Sequence, residues 1–337
     1  MVMRRERPRL GLILPAYNEE AVLATTLNKL VQIKTDLIKK GMVRLDSFIL
    51  IVDDGSTDTT WDIIYAAHQE HPNILGVKLS RNFGHQPALI AGMSEGIKLA
   101  DIVITLDADL QDNPDIISRM VADYQLGNEI VYAVRSSREQ DTWFKKYTAL
   151  GFYKTLSILG VEIIPNHADF RLMSRLAVQA LLKMPERHLF LRAMVPLVGY
   201  QSSQVFYERG RRQGGVSKYP LKKMLNFALD GITSFSVQPM RYLFGLGLIV
   251  LGVAGVEIIY TLAQKIIGNT QAGWSSLMIS IWLLGGFNLI AIGVVGVYIG
   301  KIFTEVKHRP RFEIESITND QQHQELTKQL RSSYLNR

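Results

Sequence analysis

The chain has 337 residues, 47% hydrophobic and 20% charged, with a formal net charge of +7 and a pI near 9.4. It contains no cysteine, which excludes disulfides, thiolate metal sites and a cysteine nucleophile. The positive balance points to an anionic membrane surface or a phosphorylated substrate, and no basic helix with base-reading residues speaks for nucleic acid.

The N-terminal stretch Met1–Pro8 is basic and polar and lacks the apolar core of a signal peptide. The first domain is therefore expected in the cytosol. From there the sequence alternates. Leu10–Leu14, Phe48–Val52, Leu75–Leu79, Ile102–Leu106 and Ile130–Val134 are short runs rich in Ile, Val and Leu. Such runs suit strands buried on both faces of a parallel sheet. Between them Ala21–Lys39, Thr59–Glu70, Gln86–Leu99 and Pro114–Tyr124 are long enough for crossover helices. Strand–helix alternation predicts an open α/β sheet, with ligands beyond the carboxyl ends of the strands.

Residues 143–160 are aromatic and basic, and 217–236 carry a helical stripe of Leu221, Met224, Leu225, Ala228, Ile232 and Phe235. Both read as amphipathic helices, packed on the core or lying in a membrane interface. Tyr242–Ala263 and Trp274–Gly300 each exceed the ~20 residues that cross a bilayer as a helix. Glu257 and Asn288 interrupt them and are expected to face a partner helix. Arg241 precedes the pair; Lys301, Lys307, His308, Arg309 and Arg311 follow it, so both outer ends are expected in the cytoplasm. Gly296 and Gly300 have the spacing of a helix-packing pair, which suits a homo-oligomer. The expected organisation is a cytosolic catalytic domain at 1–235, a two-helix membrane domain at 241–301 and a cytosolic polar tail at 302–337.

Three polar motifs follow strands. Pro15-Ala16-Tyr17-Asn18-Glu19-Glu20 ends the first; Tyr17 offers a ring for stacking on a base, and the two glutamates equally suit the first turn of a helix. Asp53-Asp54-Gly55-Ser56-Thr57-Asp58 ends the second. Asp58 can cap the next helix, while Asp53 and Asp54 exceed what a cap needs and suit hydrogen bonds from a nucleoside. Asp107-Ala108-Asp109-Leu110-Gln111 follows the fourth strand. In extended backbone Asp107, Asp109 and Gln111 share a face, and three hard oxygen donors suit Mg²⁺ or Mn²⁺. The plain alternative is an acidic loop capped at Asn113.

Taken in order, PAYNE, DDGS and DADLQ resemble the family 2 glycosyltransferases of the GT-A fold, on the dolichyl-phosphate mannose synthase side. The resemblance extends to Arg81-Asn82-Phe83-Gly84-His85, to Asp169-Phe170-Arg171-Leu172-Met173 and to the stretch Arg209 to Tyr219. With the terminal helix pair it is similar to bacterial polyprenyl-phosphate glucosyltransferases, which supply lipid-linked glucose for O-antigen or other envelope modification. It implies a Rossmann-like, mostly parallel nucleotide-sugar domain. Pro15, Tyr17, Glu19, Asp53, Asp54, Arg81 and Asp107 would serve the nucleotide, and Asp107, Asp109 and Gln111 the metal. Arg211, Arg212 and Lys218 would close over the diphosphate, and Asp169 would act with Asp109 at the reacting centre.

The expected reaction is one inverting transfer of a hexose from a nucleotide-sugar, UDP-glucose favoured, to undecaprenyl phosphate at the inner membrane. Arg135 and Arg138 follow the last core strand and suit an acceptor phosphate. A phosphate monoester has its second pKa near ~6, so Asp169 need not be a base and can instead orient the acceptor, hold a sugar hydroxyl or stabilise Arg171. GDP-mannose or a UDP-amino-sugar would suit the same chemistry, and a catalytically inactive membrane scaffold is the distant alternative.

Overall fold

The computed structural model describes residues 7–109, 112–135, 164, 167–187, 189–207, 238–267 and 273–318. The helices expected at 143–160 and 217–236 lie outside these described residues.

The first apolar runs become Leu10–Ala16 (β1), Phe48–Asp53 (β2), Ile74–Leu79 (β3), Ile102–Thr105 (β4) and Ile130–Arg135 (β5). Leu23–Lys39 (α1), Thr60–Glu70 (α2) and His85–Leu99 (α3) cross between them. A 3-10 turn at Pro114–Ile116 leads into Ile117–Gln125 (α4), and Asn113 caps it by accepting the amide of Asp115. Then follow His167–Ser174 (β6), Arg175–Leu182 (α5), Leu191–Leu197 (α6) and Ser202–Tyr207 (β7). Two long helices, Gln238–Ile267 (α7) and Trp274–Val306 (α8), precede a last strand, Ile314–Ile317 (β8).

All eight strands form one sheet, ordered β7-β5-β6-β4-β1-β2-β3-β8. Strands β1, β2, β3 and β4 pair in parallel, as do β5 and β7, whereas β6 runs antiparallel to both β4 and β5. The architecture is a GT-A-like α/β fold with a mostly parallel sheet. Alternation within the strands separates the two faces. Leu10, Leu12 and Leu14 of β1 and Ile49 and Ile51 of β2 join a core with Leu23, Leu27 and Leu30 of α1 and Ile117, Met120 and Val121 of α4. The opposite face, with Ile13 and Val52, is covered by α3, and α5 packs beside α3.

The chain forms two compact units. One holds β1–β7 together with the segment from Arg309 onward; the other holds α7 and α8. The segment 302–337, expected as a polar tail, begins as the last turn of α8 and supplies the edge strand β8, antiparallel to β3. Thr318 fastens it, its hydroxyl accepting the amide of Gly76 at 2.9 Å. In α8, Leu283–Val306 is long and apolar enough to cross a membrane, the one such stretch among the described residues.

Close approach of α3 to the sheet depends on Gly92, where a Cβ would meet Ile13 Cγ2 at 2.4 Å and Val52 Cγ2 at 2.9 Å. Both are branch methyls on the Cβ of buried β-branched side chains, whose rotamers are restricted. Gly92→Ala is expected to overpack this face at a cost of ~1–3 kcal/mol, read as a lower unfolding midpoint of the purified protein; an unchanged midpoint would refute tight packing there.

Candidate active site

The carboxyl ends of β1, β2 and β4 and the start of the reversed strand β6 meet at one edge of the sheet. The loops that follow β1 and β2 are laced together. The hydroxyl of Ser56 accepts the amide of Asn18 and that of Thr60 accepts the amide of Glu19, each at 2.9 Å. Asn18 Oδ1 accepts the amide of Thr57, and Asn18 itself adopts φ +54°. Glu20 accepts both the amide and the hydroxyl of Thr59, so it holds a loop. Tyr17, at the rim after Pro15, is 44% exposed and keeps its ring available.

The paired aspartates differ. Asp53 is fully buried; its Oδ1 accepts the amide of Ser56, and its Oδ2 has no hydrogen-bond partner among the described residues. Burial pushes its carboxyl up. Asp54 is 3% exposed and both its oxygens are used: Phe83 N–H donates at 2.8 Å and Gly84 N–H at 2.9 Å. The Asp54 side chain, expected at the nucleotide, is therefore spent on the backbone of the 81–85 segment. Gly55 completes the lock. It has φ +68°, and a Cβ there would sit 2.4 Å from the backbone carbon of Arg81. Arg81 lies over the Phe83 ring at 4.0 Å and donates to the carbonyl of Asn82.

This lock positions His85, the first residue of α3. Its Nε2 lies 3.5 Å from Asp169 Oδ2 and 3.6 Å from Asp107 Oδ1. The two carboxylates are neighbours because β4 and β6 are antiparallel with Thr105 opposite Arg171, which sets Asp107 and Asp169 at corresponding places beyond Thr105. The hydroxyl of Thr105 donates to the carbonyl of Asp169 at 2.5 Å.

Asp169 is 7% exposed in its side chain and forms an ion pair with the buried Arg171 at 2.5 Å. Arg171 also donates to the carbonyl of Leu191, and Arg192 Nη2 stands 3.5 Å from Asp169 Oδ2. Burial would raise the carboxyl pKa, yet His85, Arg171 and Arg192 outweigh it and hold the group well below the usual carboxylate range. Burial also opposes protonation of His85, but its pairing with Asp169 and the charge of Asp107 carry its pKa upward.

Asp107 is pushed up by burial, against His85 and with the charges of Asp169, Asp112 and Asp109. Its Oδ1 is sealed from solvent and has no hydrogen-bond partner among the described residues. Glu19 is raised by burial and then by Asp109, Asp58 and Asp107, so it shares their field. A carboxylate oxygen that makes no hydrogen bond, with His85 at 3.6 Å and like charges around it, fits a divalent cation. Asp107 and Asp109 are the two expected ligands within the described residues; no three of His, Asp and Glu there form a ready cluster, and Gln111 lies outside them. The turn carrying them is fixed by Thr26 of α1, whose hydroxyl donates to the carbonyl of Ala108 at 2.6 Å.

Arg135, expected at an acceptor phosphate, instead donates to Asp112 Oδ1 at 2.9 Å and to the Tyr207 hydroxyl at 3.3 Å. It ties the end of β5 to the loop that follows Asp109. Arg138, Arg211, Arg212 and Lys218 lie outside the described residues. His85 and Arg192 carry no expected role from the sequence, although His85 ends the Arg81–His85 segment just past β3.

Residues 12–182 match glycosyl transferase family 2. The chain is 47% identical over 313 residues to the uncharacterized glycosyltransferase YkoT of Bacillus subtilis (strain 168), covering 93% of each. It is 37% identical over 313 residues to the bactoprenol glucosyl transferase of Shigella phage SfX, covering 91% of this chain and 99% of that one. Among solved structures it is similar to the mannosyltransferase PcManGT from Pyrobaculum calidifontis in complex with GDP-Man and Mn²⁺, at 15% identity and a TM-score of 0.41, over 90% and 88% of the two chains.

Replacing Asp54 by Asn keeps its size but leaves one of the two amides of Phe83 and Gly84 without an acceptor. Loss of a buried charged hydrogen bond costs ~1.5–3 kcal/mol. The expected outcome for Asp54→Asn is faster amide exchange confined to the 81–86 segment and lower transferase activity; unchanged exchange there would refute the lock.

Proposed function

This chain belongs to glycosyl transferase family 2, and from that premise we propose that it transfers glucose from UDP-glucose to a polyprenyl phosphate with inversion. The observation that carries this reading is the 37% identity to a bactoprenol glucosyl transferase across 91% of the chain. The site chemistry supports it. Tyr17 stacks on the base at the rim, and Asp53 Oδ2 accepts from the nucleoside. Arg81 lies on the same side, next to its own stacked Phe83.

A divalent cation, Mg²⁺ or Mn²⁺, would be held by Asp107 and Asp109 with Gln111 and would offset charge on the leaving diphosphate. An acceptor phosphate oxygen forms the new bond to the anomeric carbon as the bond from that carbon to the diphosphate oxygen breaks, and UDP leaves. No proton has to be removed when the acceptor is a dianion, which it largely is above its second pKa of ~6. Asp169, held ionised between Arg171 and His85, fits a positioning role better than that of a proton acceptor. Arg211, Arg212 and Lys218 are assigned to the diphosphate and Arg138 to the acceptor side.

A polyprenyl tail stays in the bilayer, so the site must lie at the headgroup plane. The chain supports a membrane hairpin. It leaves the catalytic unit after β7, passes through α7 and α8, and rejoins the same sheet at β8. If Leu283–Val306 crosses the bilayer, the other helix must cross back, and the positive residues at both outer ends place them in the cytoplasm. Many large apolar side chains of α8, among them Leu289, Ile290 and Ile292, are exposed, as lipid contact requires.

Purified protein incubated with undecaprenyl phosphate, Mg²⁺ or Mn²⁺ and a panel of labelled nucleotide-sugars should move label into organic solvent from UDP-glucose, and not after chelation or in Asp109→Asn. Transfer from GDP-mannose or a UDP-amino-sugar instead would replace the donor and keep the reaction. Asp169→Asn should lose turnover by a similar factor from about pH 6 to 9; a loss that eases as pH rises through the acceptor pKa of ~6 would restore the base assignment.

A further inference from the structure

The acceptor proposed above is a dianion, and the site it must enter is lined by Asp107, Asp109, Asp169 and Glu19. A fixed cation on the acceptor side is needed to overcome that repulsion. Of the two arginines assigned to it, Arg138 lies outside the described residues, and Arg135 is tied to Asp112 and Tyr207 through Nε and Nη2. Arg171 is 2% exposed and balanced by Asp169 at 2.5 Å. Arg192 differs from both. Its side chain is 38% exposed, and among the described residues its ion-pair partner is Asp169 Oδ2 alone, at a loose 3.5 Å.

Its backbone is held from two directions. The preceding residue, Leu191, donates its amide to Gln86 Oε1 at 3.0 Å, and its carbonyl accepts from the buried Arg171 at 3.2 Å. Gln86 follows His85 on α3, and Arg171 is two residues from Asp169 on β6. The elements that assemble the carboxylate centre therefore also set the place of the next guanidinium. Such double anchoring is more than a surface arginine needs, and it keeps one charged fork beside the reacting edge of the sheet.

We propose that Arg192 binds the phosphate of the polyprenyl acceptor, with Asp169 as the residue that orients it. The inference rests on the acceptor class proposed above. A planar guanidinium can meet a carboxylate along one edge and a phosphate along another, which a lysine ammonium cannot reproduce. Asp169 thereby serves the reaction through Arg192, keeping it turned to the site, and through His85, which it shares with Asp107.

Acceptor and donor KM values, measured separately for the full-length wild type, Arg192→Gln and Arg192→Lys in detergent, test the assignment. Arg192→Gln should raise the acceptor KM at least tenfold and leave the donor KM within twofold, with Arg192→Lys in between. Equilibrium binding of undecaprenyl phosphate without donor should weaken by a similar factor, and the unfolding midpoint should hold. An unchanged acceptor affinity, or a donor KM that rises as much as the acceptor KM, overturns the proposal; the second result would move Arg192 to the diphosphate. Should Arg192→Gln unfold, the same comparison in Arg192→Lys decides. Absence of transfer by the wild type from any nucleotide-sugar would defeat the acceptor reading, while the binding measurement without donor still judges Arg192 separately.

Discussion

The antiparallel pairing of β4 with β6 is the constraint on which the site depends. Apart from the edge strand β8, the other strands pair in parallel, and the reversal at β6 brings the beginning of a strand to the edge where other strands end. It makes Asp169 the neighbour of Asp107. Two carboxylates so close, in a region that burial dries, would expel each other or take up a proton. The fold prevents this by giving Asp169 two cations of its own and placing His85 between it and Asp107. Asp107 has the looser contact of His85 at 3.6 Å, and its Oδ1 makes no hydrogen bond among the described residues. The asymmetry separates two carboxylates along one edge: one paired with Arg171, Arg192 and His85, and one that His85 meets loosely and that, under the proposed reaction, an external cation would share.

Much of the sheet was legible because its central strands are buried on both faces. Such strands are apolar at most positions, so β1 to β5 appear as short runs rich in Ile, Leu and Val, with Lys78 of β3 a charged exception. The acidic motifs were legible for a related reason, since polar residues directly after such a run fall at a strand's carboxyl end. Strand β6 was harder to read. Its sequence, His-Ala-Asp-Phe-Arg-Leu-Met-Ser, carries two charges that are buried only because Asp169 and Arg171 satisfy each other. Strand β8 is a short edge strand in which Glu315 and Ser316 interrupt the apolar residues. It is joined by one antiparallel ladder to a partner more than two hundred residues away, and no local pattern announces such pairing.

The hydrogen bonds least legible in the sequence share one feature: their partners come from distant loops. Asp54 sits beside Asp53 in the sequence, yet its two oxygens serve amides about thirty residues on. Arg135 suits a phosphate by type but meets Asp112 from across the sheet edge. Residue type at a strand end narrows the candidates, while the hydrogen bonds already made show which side chains also hold the fold. Asp54 accepts the amides of Phe83 and Gly84, and Arg135 donates from Nε and Nη2 to Asp112 and Tyr207, whereas Asp53 Oδ2 and Asp107 Oδ1 make no hydrogen bond among the described residues.

The return of the chain at β8 bears on how such a site can work on a lipid. A domain carried on a single terminal helix would be free to tilt and rotate about one tether. Here the helical pair is bracketed by β7 on one side and β8 on the other, both in the same sheet. Closing the chain back onto the sheet costs loop-closure entropy, which is lost once, on folding, rather than at each encounter with substrate. Strand β8 adds its ladder to β3, the strand that runs into the Arg81–His85 segment. The edge at which the chain re-enters the sheet after α8 thus borders the segment that places His85 between the two carboxylates.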